Sequence, residues 1–244
     1  MEIKVMPHIS DSADAPVEGA RGPGRLTALR DLFLVVATLV LVKQSLLPIT
    51  QLYAGPASTF SAMIVATVLL RRRGMGWRDM GLRWPESWPK TLGLTLLTMA
   101  FFVVLTQLMV PLADYFFEDV GTSDRFSHVE GNLVAYVVIM LLVWTHGSFF
   151  EELLFRAFII NHTSGALGGG LRADIAALLL SSAFFGYRHA YYQGWHGALV
   201  TGAGGFAFGV FYLWFGRRNI LPLILAHGVF NTLGQTFRFL GIEE

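Results

Sequence analysis

Two adjacent carboxylates and a guanidinium, Glu151, Glu152 and Arg156, stand inside an apolar stretch that spans about residues 133–160. No charge occurs between Leu133 and Trp144. An ionisable group at the centre of a membrane helix costs about 2.5–3.5 kcal/mol on insertion scales, so such groups are rare and mark function. Helical geometry separates the two acids. Glu152 and Arg156 are four apart and can pair on one face. Glu151 lies roughly 100° round the helix and points elsewhere.

Hydrophobic residues make up 54% of the 244 and charged residues only 14%. A soluble domain carries about 25% charged residues, so the composition predicts an all-α polytopic membrane protein. Apolar runs fall at about 29–47, 57–70, 91–112, 133 to beyond 156, 173–190, 198–215 and 220–240. That is about seven transmembrane helices, six to eight given the short second run and a Trp-rich segment at 74–89 that reads as interfacial. Residues 1–25 read as a flexible polar tail without the apolar core of a signal peptide. Residues 26–244 read as one transmembrane domain. The chain has no Cys, which excludes disulfides and thiolate metal sites. The arginines cluster at span ends, a pattern that gives no support to a nucleic-acid partner.

Those arginines orient the chain. Arg21, Arg25 and Arg30 precede span one, Arg71, Arg72, Arg73, Arg78 and Arg83 follow span two, Arg172 follows span four, and Arg217 and Arg218 follow span six. All fall on one side if every span crosses. The loop holding Asp114, Glu118, Asp119, Asp124 and Glu130 falls on the other. The positive-inside rule then places the N-terminus in the cytoplasm, and the expected location is a bacterial inner (plasma) membrane.

Further polar groups interrupt later spans. Phe185-Gly-Tyr-Arg188-His189 closes the fifth, and His227-Gly-Val-Phe-Asn231 lies in the seventh, with His227 and Asn231 on one face. Gly202, Gly205 and Gly209 form a smooth stripe that allows close helix packing. Such a set suits hydrolysis. A desolvated carboxylate can serve as general base near neutral pH, an imidazole can orient the water, and His and Asn donors can face a developing oxyanion. No Ser-His-Asp arrangement or Cys points to an acyl-enzyme.

Glu-Glu-x-x-x-Arg, Phe-x-x-x-His and His-x-x-x-Asn, in that order on separate apolar spans, resemble the CPBP family of CAAX prenyl endopeptidases and bacteriocin-processing enzymes, also called the Abi family. The resemblance covers about residues 133–240. It implies a glutamate-type intramembrane protease in which Glu151 and His189 activate water and His227 with Asn231 stabilises the oxyanion. Glu152, Arg156 and Phe185 would support them. It implies no cofactor; zinc on Glu151, His189 and His227 is the alternative, since all are ordinary zinc ligands. The expected partners are the bilayer and a membrane-anchored or lipidated protein or peptide substrate.

Two other function classes use the same residues: a proton-coupled transporter, and a non-catalytic scaffold or immunity protein. Structural readings also stand beside the catalytic ones. His189 could anchor a span end beside Tyr191, Tyr192 and Trp195, and His227 with Asn231 could bond helices together. Lys43 is expected to snorkel and Arg188 to be interfacial. His8, His128, His146, His162 and His196 fit no motif and read as tail, loop or interface residues. Depth poses one problem. His189 lies roughly 25 Å along span five, whereas Glu151 and His227 read as lying in the cytoplasmic half. A tilt, a bend at Gly186 or a late start of span five would bring them together.

Overall fold

A computed structural model describes residues 24–120 and 123–242. Most of the polar tail expected at 1–25 lies outside the described residues. Among these residues there is no strand. Seven long helices follow in order: α1 Arg25–Leu46, α2 Gln51–Arg71, α3 Trp88–Phe116, α4 Leu133–Ala166, α5 Leu171–Tyr187, α6 Ala190–Trp214 and α7 Leu221–Phe239. They correspond to the seven expected spans. Four of them, α2, α3, α4 and α6, are long and apolar enough to cross a membrane. The chain is an all-α integral membrane protein.

Local chemistry sets the boundaries. The Thr50 hydroxyl accepts from Tyr53 N at 3.3 Å and starts α2 several residues earlier than its apolar run begins. Pro56 then falls inside that helix. Asn132 caps α4 by accepting from Ala135 N at 3.1 Å. Gly168, Gly169 and Gly170, all at positive φ, end α4 and turn the chain into α5. The Trp-rich segment forms turns rather than a span. Its Trp77 is anchored inward, donating to Thr67 Oγ1 at 3.0 Å, while Trp84 is exposed.

The second half of α4 is the pillar of the bundle. Leu153, Leu154, Phe155, Ala157 and Phe158 are all fully buried, as expected for a helix apolar on every side. Its first half, with Val134 and Leu141 exposed, faces outward. The stripe on α6 does the close packing expected of it. A Cβ on Gly205 would lie 3.0 Å from the Phe185 ring, and one on Gly209 would lie 3.3 Å from Ile160 Cδ1.

The bundle has two chemically distinct ends. At one, Arg73 pairs with Asp31 and donates to Thr27 O at 3.2 Å, Arg217 pairs with Asp174, and Ile220 N donates to Gly81 O at 3.1 Å. At the other, Arg125 donates to Leu52 O at 3.0 Å, His196 bonds Asp114 at 2.9 Å, and Gly131 N donates to Phe239 O at 3.0 Å.

Several polar residues lie deeper than expected. Lys43 does not snorkel. It is buried, donates to Arg188 O, and sits 3.8 Å from the Tyr191 ring centroid. Arg188 is not interfacial but buried, donating to Ser58 Oγ at 3.1 Å and Thr59 Oγ1 at 3.3 Å. His162 is buried against Phe158, and His196 is buried beside Asp114. A polar group at membrane depth costs least when a protein partner replaces water, and each of these has one.

Candidate active site

The glutamate pair sits between two π-helical segments of α4, Thr145–Phe150 and Leu153–Ile160. Hydrogen bonds in a π turn close five residues apart rather than four, and such turns recur at functional sites. Residues five apart therefore stack. His146 lies over Glu151, with Nε2 at 3.5 Å from Oε1. His146 is thus part of the site and not the interface residue its lack of a motif suggested. A reading at the 3.6-residue period separates the two, which is why His146 escapes it.

Glu152 faces the other way and serves two partners. Its Oε1 lies 3.1 Å from Arg156 Nη1, the expected ion pair, and 2.8 Å from His227 Nδ1. Arg156 in turn donates to Gly205 O at 3.3 Å and lies 4.4 Å from the Phe185 ring and 5.4 Å from that of Phe208. Glu152 and Arg156 are essentially sealed from solvent. A carboxylate paired with a guanidinium only accepts, so Nδ1 of His227 carries the proton. Its Nε2 is the ring nitrogen left for other work.

His189 is fixed in a similar way. Its Nδ1 lies 2.7 Å from Phe185 O, which can only accept, so Nε2 has a free lone pair. Asn231, one turn beyond His227 on α7, donates through Nδ2 to Gly147 O at 3.1 Å. Gly147 lies in the π turn, and a Cβ there would stand 3.2 Å from that amide nitrogen. Glycine at this position lets Asn231 approach the helix backbone.

These groups surround one cavity of about 440 Å³. Glu151, His146, His189, His227, Asn231 and Phe185 line it, together with Arg125, Tyr192, Gln193, Thr201, Gln235 and Arg238. Glu152 and Arg156 do not line it; they lie behind His227 and Phe185. The two glutamates therefore occupy different environments, as the 100° separation predicts. The sequence reading of Glu152 as a partner for Arg156 alone is incomplete, because it holds His227 as well.

The depth problem is resolved by the length of α4. The helix continues to Ala166, so Glu151 lies just past its middle rather than near the basic end. α5 does not start late. Gly186 seats the end of α5 against α6, where its Cα faces the Ala198 carbonyl and Gly202. The Phe185 ring bridges the two imidazoles, 4.7 Å from His189 and 6.3 Å from His227.

His189 and His227 each hold Nδ1 on a protein acceptor and leave Nε2 toward the cavity, the orientation that a metal-ligating imidazole also takes. Among the described residues, no three His, Asp or Glu side chains are grouped closely enough to hold an ion.

Residues 133–233 match the family described as type II CAAX prenyl endopeptidase, Rce1-like. The matched segment contains all three motifs whose side chains meet at the cavity. No curated protein and no solved structure matches the chain.

Proposed function

We propose, from the premise that this chain belongs to the family of CAAX-type intramembrane proteases, that it cleaves a membrane-anchored or lipid-attached protein or peptide by direct attack of water. The observation that carries this reading is the division of labour between the glutamates. Glu151 faces the cavity beside His189, while Glu152 lies behind it as counter-ion to Arg156 and His227.

In this mechanism a water donates one hydrogen bond to Glu151 and the other to Nε2 of His189. Glu151 takes the proton as the water oxygen attacks the scissile carbonyl carbon. His146, stacked over Glu151, orients the carboxylate. The carbonyl oxygen becomes an oxyanion facing His227 and Asn231. His227 donates from Nε2 only as imidazolium, with Glu152 as its counter-ion; Asn231 donates with the amide hydrogen not used on Gly147. Collapse of the tetrahedral intermediate breaks the C–N bond, and Glu151 returns its proton to the leaving amine. No metal takes part.

Turnover of a membrane-anchored peptide by purified wild type and Glu151→Gln tests the proposal. The variant keeps the shape but removes the base. Hydrolysis should fall by about 10²–10⁴-fold, with no loss of melting temperature in detergent. Full activity in Glu151→Gln would overturn the assignment.

A further inference from the structure

We propose that the cavity opens on the extracytoplasmic face of the membrane, so that the substrate is an exported or outward-facing segment rather than a cytosolic tail. This deepens the proteolytic reading and rests on it for the word substrate; the orientation of the cavity stands on separate observations.

The first observation is where the cavity lies along the bundle. Leu52 and Pro56 come from the first turns of α2, and Arg125 and Phe126 from the connection before α4. Gln193 lies at the start of α6, and Arg238 in the last turn of α7. All of these positions are at the end of the bundle that carries Asp114, Glu118, Asp119 and Glu130. The turns at the opposite end contribute nothing to the lining.

The second observation is what closes that opposite end. Below Phe185 and Phe208, the side chains of Phe155, Phe158, Ile160, Tyr212, Ile220 and Leu223 are almost wholly buried and form a continuous apolar plug. Tyr212 ties the plug to the following turns by donating to Met80 O at 3.0 Å. Water and a peptide can therefore reach Glu151 from one side only.

The third observation is charge. Arg25, Arg30, Arg71, Arg72, Arg73, Arg78, Arg83, Arg172, Arg217 and Arg218 all belong to the plugged end. Short loops rich in Arg are retained in the cytoplasm. The plugged end is thus cytoplasmic, and the open end, with its acidic loop, faces out. A peptide segment that has crossed the membrane or is anchored with its cleavable part outside meets this opening directly. A lipidated tail made and kept in the cytosol does not.

The absence of native cysteine makes the test clean, because any thiol label reports the introduced site alone. Gln235→Cys places a thiol on the cavity wall, Glu118→Cys on the exposed acidic loop, and Arg72→Cys at the exposed plugged end. Intact cells are treated with a membrane-impermeant sulfonated maleimide before and after permeabilisation. Gln235→Cys and Glu118→Cys should label fully in intact cells, and Arg72→Cys should need permeabilisation. Labelling of Arg72→Cys in intact cells, with the other two protected, would overturn the orientation. If Glu118→Cys labels from outside while Gln235→Cys labels only from inside, the cavity opens through the plug and the proposal fails. The labelling needs no turnover, so it can fail while the loss of activity in Glu151→Gln still stands, and the reverse.

Discussion

His227 and Glu152 are joined across two helices, Nδ1 to Oε1 at 2.8 Å, and that oxygen also lies 3.1 Å from Arg156. One buried carboxylate thus couples the stability of the bundle to the orientation of a ring facing the cavity. The coupling makes the two effects separable by mutation. Glu152→Gln leaves a buried guanidinium without its anion, a type of change that typically costs about 3–5 kcal/mol. It also frees His227. Melting temperature and turnover should both drop. The double change Glu152→Leu with Arg156→Leu should recover part of the melting temperature, since no charge is left unpaired, but not the turnover, since His227 still lacks its acceptor. Recovery of both would show that Glu152 does not position His227.

His146 offers a sharper test of the π turn. It lies 3.5 Å from Glu151 and is partly accessible from the cavity. His146→Gln should lower kcat by about tenfold, about 1.4 kcal/mol of barrier, with KM little changed. A lower melting temperature with an unchanged kcat would assign His146 to packing alone.

Metal dependence is checked by composition and by chelation. Purified protein should contain no stoichiometric zinc, and turnover should survive dialysis against a chelator. About one zinc per chain, lost together with activity in Glu151→Gln, would favour a metalloenzyme instead.

Gly186 tests how α5 delivers Phe185 and His189. A methyl there would overlap the Ala198 carbonyl and lie 3.0 Å from Gly202 Cα. Gly186→Ala should destabilise by about 1–3 kcal/mol, as overpacking does, and should lower turnover by moving His189. Gly93→Ala is the control. Nothing lies within 4 Å of a Cβ at that helical position, so the change should be neutral or stabilising by up to about 1 kcal/mol. Equal effects at both sites would show that the α5–α6 contact does not set the position of His189.

The sequence by itself determined the elements and which connections share an end of the bundle. Apolar runs of membrane length specify helices because no other open structure satisfies its backbone in lipid, and spans that cross in turn bring every second connection to the same end. It also determined that Glu151 and Glu152 face different ways and that Glu152 reaches Arg156, since both follow from helical spacing. What it could not contain is any relation that depends on how helices cross or on a departure from the regular period. The bond from His227 to Glu152 joins residues 75 positions apart. The approach of His146 to Glu151 needs a π turn, and a π turn shifts every later side chain away from the face that regular counting assigns. The depth of Glu151 depended on α4 continuing to Ala166, through Asn161, His162, Thr163 and Ser164, whose polarity suggests an end. Those residues stay helical because the bundle gives them partners: Asn161 donates to Tyr212 Oη at 2.8 Å, and Ser164 donates to Asp174 of α5. Tertiary contacts replaced the water that polar side chains would otherwise seek, and that substitution decided where the site lies.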